Sequence, residues 1–401
     1  MALLPVDEAL RRVLDGATPV GTESVDLFDA AERVLAEDVT ATLTQPPFNA
    51  SAMDGYAVRA ADVGKVPAEL RVIGESNAGN PFEGAVGAGE AVRIFTGASV
   101  PAGADAVVIQ EDTQRAGDAI TVREAAKPGA NIRVSGGDFR AGDVLLRVGR
   151  LLDASAITLA AAAGHATLKV RQAPRIAILA TGDELVEPGH KPGPGQIVSS
   201  NPYGLAALVK RFGADAKLLG IAGDTLEDLA AKLATAADAD VLITIGGASV
   251  GDRDLVKPAL EARGLKLDFW KVAVRPGKPM LFGRLDAMRV LGLPGNPLSC
   301  LIAGRIFLVP LIFRLLGRSD TPLGESAAVL AHDLEANGPR QHYMRGTLAR
   351  GQEGLPHVTA LASQDSSHMS ALAAADVLIV RPPNAPMAHT GQVVRILPLD
   401  L

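Results

Sequence analysis

The chain has 401 residues, of which 48% are hydrophobic and 21% are charged, and its formal net charge is −6. This composition is typical of a globular protein, and the acidic balance gives no electrostatic reason to expect nucleic acid or an anionic membrane as a partner. The single cysteine, Cys300, excludes a disulfide framework and a cysteine-based zinc site. Without an uninterrupted apolar run of membrane-spanning length or a signal-peptide pattern, the sequence predicts a cytoplasmic protein.

Three regions that differ in composition and residue pattern precede the middle of the chain. Residues 1–45 begin with a short amphipathic helix and then become extended. Residues 46–137 are rich in Gly and in short alternating runs, which predicts a small β-domain. Residues 138–170 contain a turn and then a helix around residues 153–164.

Residues 175–318 alternate between strand and helix, and residues 319–401 return to short strands. Asn201, followed by Pro202, is expected to cap the first of these helices. The continuous apolar strands predict a parallel sheet covered on both faces, with ligands bound outside the carboxyl ends of the strands. The predicted strands are Ile176–Ala180, Lys217–Ala222, Val241–Ile245, Phe269–Val274 and Val290–Leu293.

Three acidic residues follow three different strands of this predicted sheet: Glu184, Asp224 and Asp254. Carboxylates that converge without His or Cys suit a hard cation such as Mg²⁺. The alternative is that Asp183, Asp224 and Asp254 only cap helices, as Asp commonly does.

Two Gly-containing loops are candidates for binding phosphate through backbone N–H groups and helix N-termini. The first lacks the Gly-Lys-Ser/Thr ending of a Walker loop and the spacing of a dinucleotide fingerprint. Ordinary tight turns remain the alternative for both. The candidate residues are Thr181, which ends the preceding strand, with Gly246, Gly247, Ser249 and Gly251 in the first loop and Pro294, Gly295 and Asn296 in the second.

A basic segment contains Lys271, Arg275 and Lys278. Pro276 and Pro279 stiffen the part that carries the last two cations, and a rigid loop with fixed cations suits an oxyanion. The alternative is an ordinary solvated turn.

The remaining reactive side chains favour structural roles. Cys300 lies in an apolar helix without a nearby His, so we expect a buried residue rather than a nucleophile. His342, His368 and His389 are expected at the surface, and Trp270 is expected to pack in the core.

Read together, the loops resemble the molybdopterin molybdenumtransferase family, which includes MoeA and the E domain of gephyrin. The motifs run in order from about residue 46 to 380. They are PPFNASAMDGYAV at 46–58, IFTGA at 94–98, ADAVV at 104–108, GGDFRAGD at 136–143, TGDEL at 181–185, GGASVGDRD at 246–254, RPGKPMLFG at 275–283, GLPGNPLS at 292–299, HYMRG at 342–346 and SSHMSALAAADVLIV at 366–380.

The resemblance implies an enzyme that inserts molybdenum from molybdate into adenylylated molybdopterin, with hydrolysis of the adenylate and release of AMP, using Mg²⁺. It also implies a multidomain α/β plus β fold in an elongated homodimer. The four parts are a discontinuous linking or dimerisation domain (1–45 and 138–174), a small β-domain (46–137), a three-layer molybdopterin-binding α/β domain with a parallel-rich sheet (175–318) and a C-terminal domain resembling a β-barrel (319–401).

The resemblance also assigns roles to matching positions, with Arg275 standing where some members carry Lys. Glu184, Asp224 and Asp254 match the functional acids of the α/β domain and would hold the metal. Asp54, Thr96 and Asp138 match residues that the β-domain of the partner subunit supplies. Lys271, Arg275 and Lys278 match basic residues near the anion site. The predicted molybdate pocket is lined by Ser249, Pro279, Arg345 and a serine of 366–370, here Ser367.

Further partners implied are the molybdopterin adenylyltransferase and the apoenzymes that accept the cofactor. Three rival functions remain open: adenylylation of the pterin, a scaffold that has kept the fold without catalysis, and a nucleotide hydrolase that uses the same loops. The number of extra domains argues against the first rival, and the intact acids and cations argue against lost catalysis.

Overall fold

The computed structural model describes residues 3–247, 255–351 and 354–399. The N-terminal segment contains helix α1 (Val6–Leu14), strands β1 (Thr22–Asp26) and β2 (Val39–Thr40), and a 3-10 turn at Leu27–Asp29. The predicted helix is confirmed. It carries acidic residues in its first turn and basic residues in its last, which complements the helix dipole.

Residues 46–137 form the predicted small β-structure. Its strands are β3 (Ala50–Ser51), β4 (Gly55–Val58), β5 (Ala68–Ser76), β6 (Glu90–Ile94), β7 (Ala106–Ile109), β8 (Thr113–Ala116), β9 (Ala119–Val122) and β10 (Ile132–Arg133). Six of them form one sheet in the order β7-β4-β6-β5-β9-β8, β3 pairs with β10, and 3-10 turns lie at Ala60–Asp62 and Gln110–Asp112.

The next segment returns to the N-terminal one. It contains strand β11 (Val144–Leu146), helix α2 (Ala154–Ala162) and strand β12 (Thr167–Arg171). Because β1 pairs with β12 and β2 pairs with β11, both antiparallel, two stretches that are distant in sequence form one unit. The carboxylate of Asp153 caps α2 by accepting a hydrogen bond from the Ala156 amide at 2.7 Å.

The third region alternates between strand and helix as predicted. Its strands are β13 (Arg175–Thr181), β14 (Leu185–Val186), β15 (Ile197–Val198), β16 (Asp215–Ala222), β17 (Val241–Ile245), β18 (Lys266–Trp270), β19 (Val274–Arg275), β20 (Leu281–Leu285) and β21 (Met288–Leu293). Its helices are α3 (Asn201–Arg211), α4 (Leu226–Ala234), α5 (Val256–Ala262), α6 (Pro297–Ala303) and α7 (Val309–Leu316), the last two joined by a π-helical turn at Gly304–Leu308.

The main sheet of this region has the order β16-β13-β17-β21-β20-β18. Only β20 runs against the others, because it pairs antiparallel with both β18 and β21. The predicted parallel-rich sheet is therefore confirmed, with this hairpin as its antiparallel part. The predicted strand 269–274 is also displaced: β18 ends at Trp270, and β19 leaves the sheet to pair with the C-terminal region.

Alternate residues of the central strands are buried on opposite faces of the sheet. Ile176 and Ile178 pack with α3, α6 and α7 on one face, whereas Ala177 and Leu179 pack with α4 and α5 on the other. This arrangement confirms the predicted three-layer domain, since a parallel strand buried on both faces needs helices on each side.

The continuous helical stretch Pro297–Leu316 is the one described helix that is long and apolar enough to cross a membrane, with a mean hydropathy of 1.9. Its apolar window is 94% buried inside the protein, where its side chains form much of the core against the sheet. This stretch thus has the burial of a core helix.

The C-terminal region forms a closed barrel. It contains strands β22 (Ser326–Leu330), β23 (Gln341–Ala349), β24 (His357–Ala360), β25 (Val377–Arg381) and β26 (Val393–Pro398), with helix α8 (Met369–Ala373). The order β23-β24-β22-β26-β25 closes because β25 also pairs with β23. Strand β19 of the α/β region extends this sheet by pairing in parallel with β23.

Candidate functional site

The polar loops that follow β13, β16, β17 and β21 meet at the carboxyl edge of the main sheet. The amide of Gly182 donates to the carbonyl of Ala222 at 3.1 Å, and the amide of Asp224 donates to the carboxylate of Asp183 at 3.0 Å. On the other side of β13, the Thr181 hydroxyl donates to the carbonyl of Ile245 at 3.3 Å. The loops are thus fixed to one another by hydrogen bonds rather than only by the sheet.

Glycine is required where these loops approach most closely. Gly246 has φ +89°, and a Cβ atom added there would lie 2.9 Å from the carbonyl oxygen of Thr181. A Cβ on Gly295 would lie 3.6 Å from the Cα of Gly246. Any side chain at Gly246 would therefore be strained by its backbone angle and would also clash with the neighbouring loop.

A cavity of about 400 Å³ opens between these loops. Five of the predicted site residues line it, namely Thr181, Glu184, Gly246, Gly295 and Asn296. Their convergence agrees with the general rule that ligands of such sheets bind outside the carboxyl ends of the strands. The predicted Gly247 follows directly, with φ +61°.

Asn201 also lines this cavity, although the sequence indicated only a helix cap. The helix begins at Asn201 itself, with Ser200 in the capping position, so the cap prediction is wrong. The Asn201 amide nitrogen instead donates to the carbonyl of Gly295 at 2.8 Å, which leaves its Oδ1 atom buried without a donor among the described residues. Asn296 Oδ1 is likewise buried without a donor among the described residues. Two buried oxygens that lack donors favour a ligand with N–H groups.

The acidic residues occupy the rim. Glu184 and Asp224 are exposed on the two loops joined through Asp183, whereas Asp254 lies outside the described residues, as do Ser249 and Gly251. Asp183 accepts the Asp224 amide and so joins the two loops, whereas helix α4 is capped by Thr225, whose hydroxyl accepts from the Asp228 amide. The alternative interpretation, in which Asp183 and Asp224 cap helices, is therefore wrong. Among residues 3–247, 255–351 and 354–399, no three His, Cys, Asp or Glu side chains are grouped so as to hold a metal ion.

The basic segment is divided between two places. Its turn packs on the helix that follows β21, since a Cβ on Gly277 would lie 3.5 Å from the Ser299 carbonyl oxygen and 3.7 Å from Pro294. Lys278 is exposed in this turn and is followed by Pro279, whereas Lys271, with φ +100°, has its Nζ atom 5.8 Å from the Trp270 ring centroid.

Arg275 lies apart from these lysines. As part of β19, it pairs with His342 of β23 and lines a second cavity in the C-terminal region. The structure therefore does not place it in the cavity at the sheet edge.

Trp270 itself is half-buried and packs against the core beside α4 and α5, in part as predicted. Lys257 also lies over its ring, with the Nζ atom 5.0 Å from the centroid.

Two predicted residues of the β-region are bonded to each other. The amide and the hydroxyl of Thr96 both donate to Oδ1 of Asp54 at 2.8 Å. These hydrogen bonds, first from the amide and then from the hydroxyl, hold the pKa of Asp54 below its usual value, so this carboxylate is ionised. Asp138 is exposed in a turn, with its amide donating to the carbonyl of Gln45. None of the three lines the cavity at the sheet edge.

The predicted Arg345 is 1% exposed and organises a loop of its own region. Its guanidinium donates to the carbonyls of Ser363 at 2.9 Å, Asp365 at 3.1 Å and His368 at 3.3 Å. Ser367 lies in that loop and donates through its hydroxyl to Asp365 at 2.7 Å. Arg345 thus fixes the position of the loop that carries Ser367.

Cys300 is buried, as predicted, and burial raises the pKa of its thiol, which agrees with a packing role. His368 and His389 are exposed as predicted, but the prediction for His342 is wrong, since this residue is only 6% exposed. Burial, and then the charges of four neighbouring arginines, lower the pKa of His342 to about 4.

Comparison with known proteins covers nearly the whole chain. Residues 4–164 match the MoeA N-terminal region (domain I and II), residues 177–314 match a probable molybdopterin binding domain, and residues 327–399 match the MoeA C-terminal region (domain IV).

Relatives named molybdopterin molybdenumtransferase are similar along their full length. The protein of Haemophilus influenzae is 36% identical over 402 residues, which covers 99% of both chains. The protein of Nostoc is 39% identical over 389 residues, which covers 95% of this chain and 89% of the relative. The crystal structure of the molybdopterin biosynthesis MoeA protein from Pyrococcus horikoshii matches with a TM-score of 0.86 and 29% identity over 99% of this chain and 100% of that one. On this similarity, the chain belongs to the MoeA family of molybdopterin molybdenumtransferases.

Proposed function

We propose that the protein inserts molybdenum from molybdate into adenylylated molybdopterin, hydrolyses the adenylate and releases AMP. The full-length similarity to enzymes of that name supports the reaction. The observation that supports this reaction in the present chain is the cavity at the sheet edge, where loops from neighbouring strands meet around glycines and amide oxygens that have no donor among the described residues. Such a cavity suits a phosphorylated heterocycle.

The cavity would hold the adenylylated pterin. Backbone amides of the Gly246 loop and of the helix beginning at Pro297 can bind phosphate oxygens. The free oxygens of Asn201 and Asn296 can accept N–H groups of a heterocycle. At the rim, Ile197 is 57% exposed and offers an apolar surface to a flat ring.

Molybdate would bind next to this cavity, on the side of the basic segment. Lys278 lies in a turn packed against Pro294 and Ser299, so its charge is close to the edge loops, and Lys271 lies in the same segment. Fixed cations and nearby hydroxyls are suited to a tetrahedral oxyanion. We assign Ser249, Pro279 and the loop of Ser367, positioned by Arg345, to this pocket.

Mg²⁺ fits the oxygen-only chemistry of the acidic rim, where we assign Glu184, Asp224 and Asp254 as its ligands. Bound there, the ion would neutralise charge on the phosphates of the adenylate. Asp183 keeps Glu184 and Asp224 on joined loops through its hydrogen bond to the Asp224 amide. The carboxylates would then orient the water that cleaves the phosphoanhydride bond, and AMP leaves with one of the two phosphates.

We further propose a cytoplasmic homodimer in which the β-region of one subunit faces the cavity of the other. Asp54, Thr96 and Asp138 do not line the cavity of their own chain, which supports this arrangement. The same proposal includes the domain limits predicted from the sequence. It also includes the adenylyltransferase and the cofactor-accepting apoenzymes as partners.

The test is turnover by the purified protein supplied with adenylylated molybdopterin, Mg²⁺ and molybdate, with AMP followed by chromatography. We expect AMP release that depends on molybdate. Adenylylated pterin formed from ATP and free molybdopterin would instead assign the adenylyltransferase activity. Absence of AMP with either set of substrates would favour the scaffold.

A further inference from the structure

Three basic side chains form a row across neighbouring strands at one end of the C-terminal barrel. Arg275 of β19 pairs in register with His342 of β23, and His342 pairs in register with Arg381 of β25. All three line one cavity of about 340 Å³, which we call the barrel mouth. The two arginines thus flank His342, and a buried guanidinium without an acidic partner normally destabilises a protein.

His342 and Arg381 face the inside of the barrel, whereas Arg275 is exposed at its edge. Met344, two residues after His342 on the same strand, packs against the barrel core and also lines the mouth. Because side chains alternate along a strand, Tyr343 and Arg345 lie on the opposite face, where Tyr343 packs in the core of the α/β region. The barrel mouth is thus separate from the surface to which Arg345 belongs.

Within the described ranges, the side chains of the row have no anionic partner. His342 and Arg381 are each 6% exposed. In the part of the chain that the structure describes, no carboxylate lies within 4.0 Å of the charged nitrogens of Arg275 or Arg381 or of the ring nitrogens of His342. Among the residues that the structure describes, the Arg381 guanidinium donates to the carbonyls of Glu335 and Pro386, and its Nε atom is buried without an acceptor.

The two acids that line the mouth do not neutralise the row. Asp333 accepts from the Thr390 amide at 2.7 Å and hydroxyl at 2.9 Å and contacts His389, so its carboxylate is already engaged. Glu335 is exposed at the rim and meets Arg381 through its backbone carbonyl.

We propose that the barrel mouth binds a tetrahedral oxyanion through Arg275, His342 and Arg381. Two guanidinium groups supply paired N–H donors and full charge, and the neutral imidazole supplies one further N–H group. A bound oxyanion would also compensate the charge of the buried Arg381 guanidinium. His342 and Arg381 have no part in the proposed reaction, whereas Arg275 is also one of the basic residues that the resemblance places near its anion site.

The most direct test observes His342 in the intact protein. Ring nitrogen resonances of ¹⁵N-histidine-labelled protein would be recorded during titration with inorganic phosphate, and we expect those of His342 to shift to saturation. Molybdate and AMP, added in competition, distinguish a free oxyanion from a phosphate ester as the preferred ligand. Unchanged His342 resonances at millimolar concentrations of all three anions would overturn the proposal.

Calorimetry of phosphate binding gives an independent measure. Arg381→Gln and His342→Gln should each weaken this binding by about tenfold, equivalent to about 1.4 kcal/mol. The matched control is Arg395→Gln, which removes the same charge from the partly exposed pair with Glu325 in the same barrel and should leave binding unchanged. Equal effects of Arg381→Gln and Arg395→Gln would show that phosphate affinity depends only on the net charge of the protein, and would overturn the proposed site. The assays need no pterin, so their outcome is separate from that of the AMP assay.

Discussion

Gly246→Ala tests whether the close approach of the edge loops is essential to the site. Gly246 has φ +89°, where an L-residue costs about 1–2 kcal/mol. The new Cβ would also lie 2.9 Å from the Thr181 carbonyl oxygen and 3.0 Å from its hydroxyl, so one of the two loops must move. Together these effects predict a loss of about 2–4 kcal/mol in the free energy of unfolding, comparable with strain and overpacking at other tight sites.

The matched control is Gly264→Ala. Gly264 follows helix α5 with φ +95°, but a Cβ there meets nothing within 4 Å, so only the backbone term of about 1–2 kcal/mol applies. Urea unfolding gives both stabilities, and AMP release at a temperature where both variants are folded gives activity. We expect Gly246→Ala to be the less stable variant and to lose activity, whereas Gly264→Ala keeps it. Equal losses of stability and activity in the two variants would refute the argument from loop contact.

Asp54→Asn should lower the rate of AMP release by about a hundredfold, the range for loss of a catalytic carboxylate. The control is Asp118→Asn, which changes an exposed carboxylate of the same β-region and should leave the rate unchanged. Equal rates in the two variants would show that Asp54 has no part in the reaction. Asn201→Ala should raise KM for the adenylylated pterin, since it removes both the free Oδ1 and the hydrogen bond to the Gly295 carbonyl; an unchanged KM would exclude Asn201 from binding. The pKa of His342 is lowered from 6.5 to about 4 in the folded protein. Between these pH values the imidazole is therefore protonated in the unfolded chain but neutral in the folded one. Stability should therefore fall as the pH drops from 6.5 to 4, by up to about 3 kcal/mol, and urea titrations should show a shallower fall for His342→Gln; parallel curves would contradict the assignment.

The sequence predicted the α/β region well because its strands are continuous apolar runs that end in polar glycine-containing loops. This pattern placed Thr181, Glu184, Gly246, Gly295 and Asn296 at one edge, where the structure has them around one cavity. The positions follow from the strand ends alone, since the carboxyl ends of parallel strands share an edge.

The errors concern contacts between residues far apart in sequence. Asn201 was interpreted as a cap because its partner, the Gly295 carbonyl, belongs to a loop 94 residues later. His342 was expected at the surface because its burial depends on pairing with Arg275 and Arg381 on two other strands. Arg275 was grouped with Lys278 because they are neighbours in sequence, whereas β19 takes it into the barrel sheet. Local patterns do not encode such pairings.

Molybdenum insertion and adenylate hydrolysis are expected to occur together on this protein. The most direct measurement is a single turnover with enzyme in excess over adenylylated molybdopterin, quantifying AMP and pterin-bound molybdenum in the same samples. We expect both products to form in equal amounts and on the same time course, and both to be absent without molybdate. AMP released at the same rate without molybdate, or without molybdenum in the pterin product, would contradict this expectation.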